Sequence, residues 1–516
     1  MFETGPTVLA LDVGTSSVRA LLFDAEARQL PEAIVKVPQR PTAHPGEGAT
    51  YDAEILLKRI FGAIDALQAR VPDAFERVAA VGMSTFWHSV VGLDEDDRPI
   101  TPIYLWVDMR SAVDAAALRE ELGGEVLRNR TGCPIHAAYL PAKLRWLKRT
   151  DPGLFSRCAR FVSLGELLSL RLHGERVVSP AVASASGLYN LRTQSWDPPL
   201  LDACEISAAM LGSISPHDHV SKGLAPEFRA RWPRLHDVPW LPALGDGLMS
   251  NLGTAGVGRR RANRIVAMVG TSSSARAFLE EGAREGGGEP PDPLPHGLWA
   301  YRFMPGRSLL GGSLGSGGNL VQWIVETFRI GNLQDAEAEI AWKLQGGVNE
   351  TSGRTESDGI GHLAFLPFLA GERSLGWHDQ ARAVFANVSF NTQPVDFLRA
   401  GLEAVAFGLA DVIDVLAPTL ASCGIEIVAS GNAMVKSAVW IQILADVLGR
   451  PILRSPWKEA SSRGAAMMAL VAAGVTKDLA EIPALPSEPV SPNLARHARY
   501  GEARARLREL YGKVIA

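Results

Sequence analysis

VLALDVGTSSVRALLFD (residues 8–24) returns about half a chain later as RIVAMVGTSSSARAFLE (264–280), with Met268 where the first copy has Asp12. Each copy is a dense apolar run, a turn of glycine and small hydroxyl residues, and a second apolar run, a pattern that predicts strand, tight turn, strand. Backbone N–H groups in such a turn approach an anion closely and the hydroxyls add donors, so the turn can hold a phosphate. It differs from the GxxxxGK[ST] loop that leads into a helix and from the GxGxxG turn of dinucleotide folds. Two matching hairpins predict a duplicated domain whose turns, facing one cleft, grip adjacent phosphates of one polyphosphate. A single Mg²⁺ between those phosphates needs its carboxylate from one side only, which gives the loss of Asp12 in the second copy a meaning.

A chain of 516 residues is too long for one core and predicts two domains with a small addition. Its 47% hydrophobic and 21% charged residues are those of an ordinary globular protein, and a net charge of −4 gives no reason to expect nucleic acid or an anionic membrane as partner. Cys133, Cys158, Cys204 and Cys423 show no CxxC or metal spacing and read as reduced, packed thiols. No basic, apolar and small-residue leader pattern opens the chain, and no apolar run reaches roughly 18 residues, so a cytoplasmic protein is expected.

Four further phrases narrow the reading: ALGDGLMSNLGTAG (243–256), GGSLGSGGNLVQW (311–323), FLPFLAGERSLGWHDQARAVF (365–385) and ASGNAMVKSAVWIQILADVLGRPI (429–452). With the paired hairpins, and in this order along almost the whole chain, they resemble the FGGY carbohydrate kinases of the actin, Hsp70 and sugar kinase superfamily. The resemblance implies an α/β fold of two duplicated ribonuclease-H-like domains with an interdomain cleft. Residues 1–252 would bind sugar and phosphate, 253–475 the nucleotide, and 476–516 would form a Pro-rich segment and a C-terminal helix on the second domain. It also implies ATP and Mg²⁺ as cofactors and a small sugar or sugar acid as partner, with a homodimer as an open assembly.

Phosphoryl transfer to a hydroxyl needs a base near that hydroxyl, a metal on the phosphates and donors that take up charge on the transferred group. Asp246 resembles the family base, and its neighbours Gly245 and Gly247 leave room for a substrate to approach. Asp12, at the end of its strand, is the expected metal or metal-water ligand, with Asp246 as a second carboxylate beside the metal. Gly14, Thr15, Ser16, Ser17 and Arg19 match the first phosphate loop, and Gly270 and Thr271 the second. Gly318, Gln322, Gly431, Asn432 and Lys436 fall where the family contacts ribose and adenine. Asn432 stands where the family usually has a second glycine, and asparagine tolerates a left-handed turn better than most residues. The apolar spacing of Trp440, Ile441, Leu444, Val447 and Leu448 reads as core.

The acceptor side belongs to the N-terminal half. VAAVGMSTFWHSVVGLDEDDRPITPIYLWVDMRS (78–111) reads as strand, turn, strand, an acidic turn at 94–97, and a loop before a helix beginning near Ser111. By resemblance this stretch lines the sugar pocket, with Thr85, Trp87, His88, Trp106, Asp108 and Arg110. An aromatic face for C–H groups with Asp and Arg for hydroxyls makes a reasonable polyol pocket. STFWHS, WVDMRS, TGCPIHAAYLPAKLRWLK (131–148) and the arginine closing GTSSSAR resemble the gluconate branch, which implies a sugar acid, gluconate first, with Arg276 and Arg110 as partners for its carboxylate. Ser179 replaces an aspartate found in many relatives. A ketopentose or polyol kinase and a non-catalytic sugar sensor are the alternatives. Arg259, Arg260 and Arg261 read as an exposed linker, 286–295 as a surface loop and 481–493 as a Pro-rich connection.

Overall fold

The computed structural model describes residues 5–258, 261–283, 287–347, 359–420, 424–483 and 488–515. Both hairpins form, and each is the centre of a sheet. In the first, Thr7–Gly14 pairs antiparallel with Ser17–Phe23, which pairs antiparallel with Gln29–Pro38. On its other edge Thr7–Gly14 takes Val78–Thr85 in parallel, and Leu244–Gly245 follows, also parallel. In the second sheet Arg264–Val269 pairs antiparallel with Ser273–Glu280, then Arg307–Leu314, and on the other side in parallel with Glu426–Ser430 and Ile452–Arg454. Both sheets share the spatial order third, second, first, fourth, fifth. The second adds Trp299–Met304 at one edge and Pro489–Val490 at the other.

The hairpins differ by one residue in the turn. Gly14 pairs with Ser17 across a two-residue turn, which sets Arg19 opposite Asp12. Val269 pairs with Ser273 across residues 270–272, which sets Ser274 opposite Met268 and Arg276 opposite Val266. The Arg-Ala steps that look alike in the two phrases therefore lie on different rungs. The place of Arg19 is held in the second hairpin by Ser274.

Apolar runs on these strands fill separate cores. Leu9, Leu11, Val18 and Leu22 pack with Leu56, Ile60 and Ile64 of the helix Ala53–Arg70. Ile265, Ala267 and Leu279 pack with the helices Pro394–Leu416 and Ala438–Leu448, and Trp440, Ile441, Leu444 and Val447 are buried as their spacing predicts. Each such side chain contributes about 1.5–3 kcal/mol when fully buried.

Two helices cross between the sheets. Asp246–Ala255 leaves the fifth strand of the first sheet and reaches Arg264–Val269 and Glu426–Ser430 of the second. Ala460–Ala472 comes from the second half of the chain and lies on Thr7–Gly14 and Val78–Thr85 of the first. Arg463 ties the crossing together, donating to the carbonyls of Ala27 (3.1 Å), Gly253 (2.7 Å) and Pro483 (2.8 Å) over the ring of Trp457.

The acidic turn forms, with Asp94 Oδ1 accepting from the N–H groups of Asp96 and Arg98, and the next helix is Ala112–Leu122. The C-terminal helix Leu494–Val514 buries Tyr500 and Ala503 and pairs Arg496 with Asp446 and Arg504 with Asp411 and Asp414. Cys133, Cys158 and Cys204 are free and buried. Cys423, Arg259, Arg260, Gly286 and residues 484–487 of the Pro-rich connection lie outside the described residues. Among the described residues no helix is long and apolar enough to cross a membrane.

Candidate active site

Asp246 is the first residue of its helix, with Gly245 as N-cap. Its carboxylate accepts from the N–H of Gly247 at 2.7 Å and lies near the N–H of Trp87. Burial pushes its pKa up to about 6, and Asp12 adds to the rise, while Arg276 and the two N–H groups oppose it. Asp12 comes from the first hairpin and Arg276 from the second. The two hairpins thus converge electrostatically on the opening turn of one crossing helix.

Asp12 is buried; its Oδ2 accepts from Arg19 Nη1 at 2.7 Å and from Ser462 Oγ at 3.3 Å. Arg19 also reaches Glu459 at 3.3 Å. Ser84, paired with Asp12 in the sheet, leaves a buried hydroxyl without a partner among the described groups. One carboxylate and a neighbouring unpaired hydroxyl are oxygen ligands that suit Mg²⁺, which takes most of its ligands from phosphate and water. No cluster of three or more His, Cys, Asp or Glu able to hold a metal occurs among the described residues.

The first turn is held from behind. The carbonyl of Gly14 accepts from Gln39 Nε2 (2.8 Å), that of Thr15 from the Tyr51 hydroxyl (2.6 Å) and that of Ser16 from Gln39 N (3.0 Å). Thr15 Oγ1 accepts from Trp106 Nε1 at 3.3 Å, and Ser17 is buried with its hydroxyl unpaired among the described groups. In the second turn the carbonyls of Gly270 and Thr271 accept from Gly318 N (2.8 Å) and Asn319 N (3.0 Å) at the start of the helix Gly318–Thr327. In the second turn the Gly270 N–H is spent on the Ser272 carbonyl (2.9 Å), so what the turns offer an anion is their remaining N–H groups and unpaired hydroxyls such as that of Ser17.

In the segment expected to meet adenosine, Gly431 has φ +87°, and a Cβ there would lie 2.3 Å from the carbonyl oxygen of Val269. Glycine is required at 431, and Asn432 merely opens the helix Asn432–Lys436 with ordinary backbone; the expected use of asparagine's left-handed tolerance is corrected. Asn432 and Lys436 lie exposed on one face, and Gln322 is exposed and bonded to Glu326 at 2.8 Å.

The acceptor residues divide. Thr85 pairs with Val13, and strand alternation turns it to the layer behind the sheet, so Ser84 rather than Thr85 shares the face of Asp12. A Cβ on Gly245 would lie 1.4 Å from Trp87 Nε1, and one on Gly247 2.6 Å from both Trp87 and Arg276. The space beside Asp246 expected for substrate is taken by Trp87 and Arg276. His88 adopts φ +58°, bonds the Ala185 carbonyl through Nδ1 at 2.8 Å and packs on Tyr139; burial and then Arg373 hold its pKa well below the usual histidine value. With Nδ1 as donor, Nε2 is left as an acceptor.

Asp108 is buried and grips Arg110 through Nε (2.9 Å) and Nη2 (2.6 Å), and Arg110 lies over Trp146. Arg276 donates to the Gly247 carbonyl and to Ser274 Oγ (2.8 Å from Nε), and burial brings its pKa down to about 10. Ser179 caps Pro180–Ser184 and bonds the Ala243 carbonyl at 3.1 Å, a structural use of that position.

Residues the sequence did not single out surround His88 and Trp106. Arg373 lies over the rings of Trp106 (5.3 Å) and Trp377 (5.7 Å), and Lys143, buried, donates to the Ala137 carbonyl. His136 Nδ1 accepts from Ala138 N, so Nε2 carries the proton toward Asp379 at 3.0 Å, which Arg119 also holds at 2.7 Å. A charged residue on the apolar face of LPAKLRWLK was the available signal for Lys143.

The N-terminal domain of the FGGY family of carbohydrate kinases matches residues 7–253, and the C-terminal domain of that family matches 285–473. A gluconokinase of Bacillus subtilis is 26% identical over 475 residues, 90% of this chain and 88% of that protein. A glycerol kinase of Thermus brockianus is 30% identical over 96% of each chain. The ligand-bound xylulose kinase structure from Lactobacillus acidophilus superimposes with a TM-score of 0.83 at 23% identity, covering 99% of each chain. Sugar kinases of this family use ATP, generally with Mg²⁺. The chain belongs to the FGGY family of carbohydrate kinases and is a phosphotransferase acting on a sugar hydroxyl.

Proposed function

We propose that the protein transfers the γ-phosphoryl group of ATP to a hydroxyl of a sugar acid, gluconate to 6-phosphogluconate, with Asp246 as general base. The observation that carries this is the convergence of Asp12 and Arg276, one from each hairpin, on Asp246. With its pKa near 6, Asp246 is mostly ionised at neutral pH and close enough to neutrality to accept a proton in the transition state. Asp12 would hold Mg²⁺ or its water, and the metal would neutralise charge on the phosphates. Residues 14–17, Arg19, Gly270 and Thr271 would hold those phosphates, and Gly318, Gln322, Gly431, Asn432 and Lys436 the adenosine. The division into 1–252, 253–475 and 476–516 and a cytoplasmic place of work belong to the same proposal.

A neutral ketopentose or polyol acceptor is the second reading. It is favoured by the donors that Arg110 and Arg276 already spend inside the protein. An ADP-release assay over gluconate, other aldonates, ketopentoses, polyols and glycerol separates the two, since equal or faster turnover of the neutral acceptors overturns the acid reading. On the best acceptor, Asp246→Asn should lower kcat by at least about a hundredfold while nucleotide affinity survives. Near-normal kcat in that variant would place the base elsewhere.

A further inference from the structure

We propose that Arg373, stacked between Trp106 and Trp377, is the residue that receives the carboxylate of the acceptor and so selects an anionic polyhydroxy acid over its neutral analogue. The inference rests on the sugar-acid reading above and replaces the two arginines expected from the sequence. Arg110 is closed by a bidentate pair with Asp108, and Arg276 is spent on Gly247 and Ser274. Arg373 has no carboxylate partner within ion-pair distance among the described residues, and its buried Nε has no hydrogen-bond partner there.

Its surroundings make that unusual. Lys143, Arg276, His88 and His136 each have their pKa lowered in part by Arg373; the two histidines stay neutral, and Arg276 and part of the Lys143 population are the cations that share the space with the guanidinium. The carboxylates nearby are committed: Asp108 to Arg110, Asp379 to His136 and Arg119, and Asp246 to the chemistry. Burial brings Lys143 down to about 7, helped by Arg373 and Arg110 and opposed by Asp108. Such repulsion is relieved by an incoming anion. The guanidinium meets the Tyr139 hydroxyl and keeps an unpartnered Nε, and a planar fork held against two indole rings matches a carboxylate with little loss of side-chain freedom. The position fits as well. Trp106, under the guanidinium, donates to Thr15 in the first phosphate turn, and Arg276 interacts with both Arg373 and Asp246.

The test compares D-gluconate with D-glucitol, which keeps the hydroxyls and lacks the carboxylate, in the wild type and in Arg373→Met and Arg373→Lys. The wild type should prefer gluconate. Arg373→Met should raise the KM for gluconate by about 30-fold or more, with KM for MgATP and the kinetics on glucitol little changed, and Arg373→Lys should recover part of the loss. A wild type that does not prefer gluconate sinks the sugar-acid reading itself. A wild type that prefers it, with Arg373→Met leaving the gluconate-to-glucitol ratio unchanged, overturns the role of Arg373 alone. A rise in KM for MgATP instead would assign the guanidinium to phosphate and also overturn the proposal. Should Arg373→Met fail to fold, the Lys variant still decides: an unchanged ratio with the fork removed counts against bidentate capture.

Discussion

Asp12 and Asp246 sit close enough for the first to raise the pKa of the second, yet their partners differ in kind. Asp12 is ion-paired to Arg19 and bonded to Ser462, groups that fix its orientation, whereas Asp246 receives N–H donors from Gly247 and Trp87. Replacing Asp12 by Asn keeps the shape but removes the charge a hydrated cation needs. The Mg²⁺ concentration for half-maximal activity should therefore rise about 10- to 100-fold, with kcat recovering at high Mg²⁺. A loss of kcat that no Mg²⁺ concentration restores would mean that Asp12 acts on the chemistry directly. At this scale the sequence made positions legible: Asp12 does lie near the end of its strand, and Asp246 does open a helix between two glycines. It was misleading where the answer depends on parity or on distant packing. Thr85 is one residue away from the face of Asp12, and Arg373, inside a phrase read with the nucleotide segments, is brought over Trp106 of the N-terminal half only by the fold.

The helix Leu164–His173 shows how an element behind the site carries its own titration. Ser163 and Glu166 form a capping box: Ser163 N donates to Glu166 Oε2 at 2.7 Å and Glu166 N to Ser163 Oγ at 3.3 Å. The helix start presses on Ala243, since a Cβ on Gly165 would lie 2.6 Å from the Ala243 Cβ. Burial raises the Glu166 carboxyl to about 7, against the opposing bonds from Ser163 and Gly212. The folded state thus holds a proton that the unfolded chain releases near pH 4.5. Stability linked to this group is present at acid pH and is lost as pH rises through about 7. Glu166→Gln keeps the cap acceptor and removes the titration, so its advantage in stability, read as a growing difference in Tm, should rise from pH 5 to pH 8 toward a limit of about 3 kcal/mol. Parallel Tm curves for variant and wild type would show that Glu166 ionises freely in the fold. The hairpins were legible here because their signals are local. The extra residue in the second turn was not, because pairing rather than phrase decides the rung, and Arg276 moved with it.

At the scale of the whole molecule the duplicated halves are joined where the two crossing helices touch, and glycine makes that contact. A Cβ on Gly464 would lie 2.1 Å from the Met249 carbonyl oxygen, one on Gly253 1.9 Å from that of Ala460, and one on Gly82 2.1 Å from that of Ala465. All three obstacles are backbone, which cannot swing aside as a long side chain can. Neither Gly464 nor Gly253 has a positive φ, so what they supply is space, not backbone freedom. Asp246 opens the helix that Gly464 packs against, and Ser462, two residues before Gly464, bonds Asp12. Moving the helices apart must therefore disturb both carboxylates at once. Gly464→Ala should cost about 1–3 kcal/mol of stability through overpacking, and kcat should fall together with apparent Mg²⁺ affinity in the fraction that remains folded. Gly62, in the interior of the helix Ala53–Arg70 with nothing within 4 Å of its would-be Cβ, is the control. Gly62→Ala should leave activity alone and stabilise by roughly 0.5–1 kcal/mol through helix propensity. If Gly464→Ala behaves like Gly62→Ala in both Tm and Mg²⁺ dependence, the close crossing does not set the distance between the halves, and the coupling of Asp12 to Asp246 has another source.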